Sequence, residues 1–154
     1  MNRYVRRIGL CVLAVSLLAA CNFSATSPEL TSWAIDYEAP DSVALSNDLA
    51  TFHQLAGSHT TSSNEMVQAC KNGSSDALRA FHHPRAPQPE LGRRYATYLF
   101  IALDMFNKCQ VATAHADAGA MRDMNSDLAR LKSTQGSVND LATQLGFNMK
   151  VGLN

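Results

Sequence analysis

The chain has 154 residues, of which 46% are hydrophobic and 17% are charged, with 13 basic and 13 acidic side chains. This length corresponds to one domain with room for a hydrophobic core. The charge is balanced and no basic run is longer than a pair such as Arg93-Arg94, so nothing supports nucleic acid as a partner or an electrostatic hold on acidic lipid.

The first 22 residues have the organisation of an export signal. A basic start is followed by a short apolar run and two small residues: Arg3, Arg6 and Arg7, then Ile8 to Leu18, then Ala19-Ala20. Cys21 follows directly, and the sequence Leu-Ala-Ala-Cys at 18–21 resembles the lipobox of bacterial lipoproteins. The resemblance implies that the Cys21 thiol receives a diacylglycerol, that the signal is cut before it, and that the new amino terminus is acylated.

Two alternatives to this interpretation are a plain secretory signal with an incidental Cys21 and an uncleaved transmembrane anchor. The apolar run is shorter than the roughly 20 residues that a spanning helix needs. The lipobox resemblance therefore predicts a protein held on a membrane of the cell envelope by two or more acyl chains. Asn22 is not the aspartate that favours retention in the inner membrane, so in a Gram-negative host the resemblance implies the outer membrane, at its periplasmic face or at the cell surface.

The predicted organisation has four parts: a signal peptide at 1–20, a lipidated flexible tether at 21–40, a helical bundle at 41–146 and a C-terminal tail at 147–154. Without the signal, 134 residues remain, with 10 basic and 13 acidic side chains and a net charge of −3. Within the tether, Trp33, Ile35 and Tyr37 alternate and predict a short extended piece. We expect that piece to dock on the protein's own core rather than on the bilayer interface.

Apolar residues recur at spacings of three and four from Asp41 onward, which predicts helices. Helix one follows Asp41-Ser42, which offers an N-cap, and ends before Gly57. Helix two begins near Ser62, which stands in capping-box spacing with Glu65, and ends at His82-His83 before a proline-rich loop. The sequence Asn-Gly-Ser-Ser at 72–75 interrupts it, so helix two is either kinked or divided in two. Met66, Cys70, Ala77 and Phe81 lie near one of its faces.

The last two helices carry the strongest pattern. Helix three starts at Pro89-Glu90 and its apolar stripe runs through Leu91, Tyr95, Tyr98, Ala102, Met105, Cys109, Ala112 and Ala116. Helix four follows a tight reversal and its stripe runs through Met121, Met124, Leu128, Leu131, Gln135, Val138, Ala142 and Leu145. Such a hairpin needs helices one and two as cover. The sequence therefore predicts an all-α, antiparallel bundle of about four helices.

Two cysteines remain for the folded domain, because Cys11 lies in the signal and Cys21 is assigned to lipid. In an exported chain, Cys70 and Cys109 are expected to form a disulfide that closes a loop of about forty residues. The alternative is a thiol that reacts or binds metal, but the sequence has no C-x-x-C motif and no histidine within four residues of either cysteine.

Histidines are the other candidates for chemistry. His53, His82 and His83 are weak metal candidates, because adjacent helical residues point about 100° apart and no H-E-x-x-H motif is present. Cationic histidines at a helix C-terminus explain the pair equally well. The methionines at 66, 105, 121 and 124 fit core packing, and Arg93-Arg94 fits a solvent-facing pair balanced by Glu90. No cofactor and no catalytic residue are predicted.

The expected function is that of a non-enzymatic, membrane-anchored envelope lipoprotein whose helix faces bind another envelope protein, as an assembly factor, inhibitor or immunity-type partner. The alternative is a carrier that holds haem, metal or lipid in the bundle core through the three histidines or the methionines.

Overall fold

The computed structural model describes residues 27–56, 62–147 and 151, and these residues form helices and loops without any β-strand. α1 is Pro28–Trp33, and a π-helical segment, Ala34–Glu38, joins it directly to α2, Ala39–Ala56. α3 is Ser63–His82, α4 is Pro89–His115 and α5 is Ala118–Gln144. The predicted all-α bundle is confirmed. It consists of four helical rods: residues 28–56 together form the first, and α3, α4 and α5 form the other three.

The prediction of a flexible tether at 21–40 is wrong from Pro28 onward, because a helix begins there. Ser27 caps α1 by accepting a hydrogen bond from the Leu30 N–H at 3.1 Å, and Pro28 occupies a first-turn position where no backbone donor is needed. Leu30 and Trp33 are buried, so one face of α1 belongs to the core. The rest of the predicted tether, residues 21–26, lies outside the described residues.

The predicted extended piece at Trp33, Ile35 and Tyr37 is helical instead. The Trp33 ring docks on the protein's own core, as expected, and its indole Nε1–H donates a hydrogen bond of 2.7 Å to the carbonyl oxygen of Pro84. The ring stands edge-on to Tyr95, with 5.4 Å between centroids. Ile35 is 66% exposed, because helical rotation rather than strand alternation decides which of these side chains turns inward.

The π-helical segment ends at Glu38, two residues before Pro40. In a regular α-helix the Pro40 ring would clash with the carbonyl group of Asp36 and leave it without a donor. The wider π-helical turn accommodates the proline at this point, and the rod continues unbroken. It also places Glu38 in the interior next to Asp41 and Ser42.

α3 begins with the predicted capping box: the Ser62 hydroxyl accepts from the Glu65 N–H at 3.3 Å, and Glu65 accepts from the Ser62 N–H at 2.8 Å. The helix is continuous, so the predicted interruption at 72–75 is absent. Gly73 is buried against α4, and a Cβ atom there would lie 2.4 Å from the Phe106 ring. This glycine lets two helices approach each other rather than ending one of them.

The predicted reversal between the two longest helices is confirmed. Ala116 takes the left-handed conformation, with φ of 50°, and Asp117 then caps α5 by accepting from the N–H groups of Gly119 at 2.8 Å and Ala120 at 3.1 Å. α5 thus starts at Ala118, three residues before Met121, the first position of the predicted apolar stripe. The sequence interpretation overlooked Asp117 as the cap.

The extensive helix interfaces join rods that are consecutive in the chain: α2 with α3, α3 with α4, and α4 with α5. All predicted stripe positions of α4 from Leu91 to Ala112 are buried, and in α5 Met124, Leu131, Val138 and Ala142 are buried. Met121 was expected in the core but is 43% exposed, because it lies in the first turn after the reversal, at the end of the bundle.

The predicted C-terminal tail is not free where it is described. Val151 is fully buried, and its backbone N–H donates to the Asn139 side-chain oxygen at 2.9 Å. Phe147 also packs against the core. The domain therefore extends beyond the predicted end at residue 146.

Candidate functional site

Cys70 on α3 and Cys109 on α4 form the predicted disulfide, with 5.7 Å between their Cα atoms. Both side chains are buried. The disulfide links the two helices in the interior, and neither cysteine is a free thiol available for reaction or metal binding.

The three candidate histidines do not converge. His53 is exposed near the end of α2, about 18 Å along the helix axis from Asp41. His83 is bonded to that same Asp41, with 2.8 Å between Nδ1 and Oδ2. His82 points elsewhere and its Nδ1 lies 2.9 Å from the carbonyl oxygen of Leu78. Across residues 27–56, 62–147 and 151, no group of three or more His, Cys, Asp or Glu side chains is placed to hold a metal ion.

A buried polar cluster joins the first rod to α4 and to the loop after α3. Glu38 and Asp41 are 4% and 3% exposed, and the Ser42 hydroxyl donates to Glu38. Burial raises the pKa of the Glu38 carboxyl. Burial also raises the pKa of Asp41, although His83 opposes the shift. The cluster holds two carboxyl groups that favour the neutral form more than exposed ones do.

Two tyrosines of α4 face the same cluster. The hydroxyl groups of Tyr95 and Tyr98 are buried and have no hydrogen-bond partner among the described residues. Burial first, then the nearby charge of Glu38, raises the pKa of Tyr98, and burial likewise dominates the raised pKa of Tyr95. Both phenols stay neutral at physiological pH, so they serve as packing residues of the interior.

Sequence interpretation missed this cluster. Glu38, Asp41 and Ser42 stand at helical spacing, but they were assigned to a tether and to a cap. The signal was present in that spacing, because polar residues at i, i+3 and i+4 share one helix face.

A second buried charge, Asp127 on α5, was also missed. It is 2% exposed and accepts hydrogen bonds from Lys108 of α4 and, at 2.7 Å, from Arg130. Burial alone would raise the pKa of Asp127, but these hydrogen bonds outweigh it and hold the pKa below its ordinary value. The group ties α4 to α5 and has a structural role.

Arg93 and Arg94 both pair with Glu90, as the sequence interpretation favoured. Arg94 does more than expected: its Nη1 donates to the Ser137 carbonyl oxygen at 3.0 Å and to the Ser137 hydroxyl at 2.9 Å. It therefore links α4 to α5, whereas the Arg93 side chain is 75% exposed.

An open groove of about 570 Å³ lies where the end of α3, the following loop and the first half of α4 meet. Phe81 and Phe100 are its aromatic walls and are 41% and 58% exposed. The sequence pattern places Phe81 near the same face of helix two as Cys70 and Ala77, but it lies in the last turn of α3, next to the loop, and is exposed. We call this surface the aromatic groove; its main lining residues are Phe81, Arg85, Pro89, Arg93, Ala96 and Phe100.

The described helices include none that is long and apolar enough to cross a membrane. The chain matches no protein-family model, no curated protein and no solved structure.

Proposed function

We propose that this protein is a membrane-anchored lipoprotein of the cell envelope, without enzymatic activity, that binds another envelope protein through the aromatic groove. The groove is the observation that carries the proposal. Exposed aromatic walls bordered by arginine are the composition found at the centres of protein–protein interfaces. An open apolar concavity of this size on a small domain marks a place where something binds.

The location rests on the lipobox resemblance at Cys21. Five residues lie between Cys21 and Ser27, and the six Cα–Cα steps of that stretch span at most about 20 Å. Since the helical domain starts at Ser27, an acylated Cys21 would keep the domain against its own membrane. The reach is shorter than the predicted long tether would have given, so a partner must come to the membrane surface.

The non-enzymatic part of the proposal rests on where the reactive residue types lie. Cys70 and Cys109 are oxidised to a disulfide. The His83–Asp41 pair has the geometry of a catalytic dyad, but within the described chain no serine or cysteine is bonded to the other ring nitrogen of His83. The pair instead fastens α2 to the α3–α4 loop.

The anchor is tested with the full chain in a bacterial host fed an alkyne analogue of palmitate. We expect the label and the membrane fraction to depend on Cys21: Cys21→Ala should lose both, whereas Cys11→Ala should keep both. An unlabelled, soluble wild-type chain would contradict the anchoring.

Partner binding is tested by placing a photo-cross-linking phenylalanine analogue at Thr97, on the rim of the aromatic groove, or at Asn125, exposed on α5. In intact envelopes we expect a discrete protein adduct from Thr97 and not from Asn125. The adduct should disappear when Phe100→Ala is added. Equal adducts from both positions, or an adduct indifferent to Phe100, would show that the aromatic groove is not the binding site.

A further inference from the structure

We infer that the aromatic groove takes an amphipathic helix with acidic residues beside its apolar anchors, presented by the partner protein. This inference rests on the proposed protein-binding function and specifies the chemistry of the partner. It follows from the shape of the groove, its length along α4 and its charge.

The shape favours a protruding side chain over a lipid surface. The aromatic groove is concave, with Phe81 and Phe100 as walls and the small side chain of Ala96 in its floor. A concavity of this kind is filled by a projecting anchor from a partner. A bilayer surface has no such projections, and it would engage protruding aromatic rings rather than the space between them.

The length favours a helix. The lining positions of α4 begin at Pro89, continue at 92–93 and 96–97, and end at Phe100. They form a straight strip of three helical turns, about 16 Å long. An incoming helix presents apolar side chains at i, i+3 or i+4, and i+7, a span of about 10 Å that fits within this strip. This spacing is the pattern of helix-in-groove recognition.

The charge favours an acidic partner. The groove is bordered by Arg85 and Arg93, and none of the described residues that line it is acidic. Within the described chain Arg85 makes no ion pair, and Arg93 pairs only with Glu90 in a solvent-exposed i, i+3 contact that contributes little. A carboxylate on the partner beside its apolar anchors would meet both guanidinium groups.

The test uses the full chain in phosphatidylcholine nanodiscs and three fluorescent, stapled helical peptides of about 15 residues. The peptides share the same leucine anchors and carry Glu, Gln or Lys beside them, and fluorescence anisotropy against empty discs gives the affinities. We expect the Glu peptide to bind at least about tenfold more tightly than the Lys peptide. Arg85→Glu should reverse that order.

Two matched controls separate the groove from the rest of the surface. Arg122→Glu changes an exposed charge on α5 and should leave the order of the peptides unchanged. Phe100→Ala should weaken the binding of all three peptides. Val111→Ala removes an apolar side chain of α4 that is 47% exposed and should weaken the binding of none. The four substituted residues are all exposed: Arg85, Phe100, Val111 and Arg122. Circular dichroism of each variant shows whether it is folded.

Two results would overturn the inference. If the three peptides bind with equal affinity, or if Arg122→Glu changes their order as Arg85→Glu does, the acidic helix is excluded as the ligand of the groove. A Phe100-dependent protein adduct from Thr97 in envelopes would still support the proposed function in that case. If the Thr97 probe instead captures phosphatidylglycerol in mixed-lipid discs and no protein in envelopes, the groove is a lipid surface and both proposals fail.

Discussion

Replacing Gly73 with alanine should destabilise the protein, although alanine is the better helix former. In α3, the added methyl group would lie 2.4–2.6 Å from three atoms of the Phe106 ring, where about 3.5 Å is the shortest comfortable separation. Phe106 is fully buried, so the ring cannot swing into solvent. Overpacking of this kind costs about 1–3 kcal/mol or more, and the gain in helix propensity is only about 1 kcal/mol.

The expected net effect of Gly73→Ala is therefore a loss of up to about 2 kcal/mol in the free energy of unfolding. Urea denaturation of the oxidised protein, followed by circular dichroism, measures it. Gly136→Ala is the matched control, because a Cβ atom on that exposed α5 glycine meets nothing within 4 Å. It should stabilise the protein by about 0.5–1 kcal/mol.

A double-mutant cycle tests whether contact with the Phe106 ring causes the loss of stability in Gly73→Ala. Phe106→Leu reduces the ring that the new methyl group meets, so Gly73→Ala should cost less in the Phe106→Leu background than in the wild type. The reasoning is refuted if Gly73→Ala is as stabilising as Gly136→Ala, or if the two substitutions are simply additive.

Three further predictions concern charges and the disulfide. Asp127→Ala should lower the free energy of unfolding by about 2–3 kcal/mol, since it removes the buried partner of Lys108. Asp104→Ala removes only an exposed i, i+4 pair and should lower it by about 0.5 kcal/mol or less. Similar losses for the two variants in urea denaturation would contradict this prediction. Reduction of the Cys70–Cys109 disulfide should lower the free energy of unfolding by about 4 kcal/mol, the value that the chain-entropy model gives for a 39-residue separation. Denaturation of oxidised and reduced samples measures the loss, and a mass difference of about 2 Da confirms which sample is which. Burial, and then the neighbouring carboxyl of Asp76, raises the pKa of Asp48 from 3.8 to about 6, so its contribution to stability is present at low pH and is lost as the pH rises through 6. The free energy of unfolding of Asp48→Asn should therefore equal that of the wild type near pH 4 and exceed it at pH 7 by about 1 kcal/mol, a value reduced for solvent screening. Urea denaturation at the two pH values measures this, and an equal difference at both would exclude the titration of Asp48 as the cause.

The parts of the fold that sequence predicts well are those where one simple pattern persists. In α4 the spacing of three and four continues from Leu91 to Ala112, and all of these positions are buried. The Ser62–Glu65 capping box and the pairing of the two remaining cysteines were likewise predicted, because each depends on only two residues with few alternatives.

The first part of the first rod, residues 28–40, was not predicted as helix because the inward face of the rod is not consistently apolar. Trp33 and Leu45 are buried, but Glu38, Asp41 and Ser42 lie between them and are buried too. A stripe of acidic and hydroxyl side chains at helical spacing has no hydrophobic period, and Pro40 suggests a break. Only the partners supplied by other parts of the chain, such as His83 in the loop after α3, make that face an interior one.

The aromatic groove depends on position along the bundle as much as on helix face. Phe100 lies off the apolar stripe of α4, which the sequence could have indicated as an exposed aromatic side chain. Phe81 shares a helix face with the buried Cys70 and Ala77, yet it is exposed because it lies in the last turn of α3, beside the loop. The meeting of these two rings at one loop is a property of the helix crossing, which one sequence does not reveal.

The consecutive packing of the rods has a consequence for how the chain reaches this structure. Each rod finds its main neighbour among residues just before or after it in the chain, so the loops that must close are short and their entropy cost is low. Proteins dominated by such local contacts fold rapidly. A chain delivered unfolded across a membrane, as the proposed lipoprotein would be, can therefore assemble rod by rod as it emerges, and Cys70 meets its partner only once α4 has arrived.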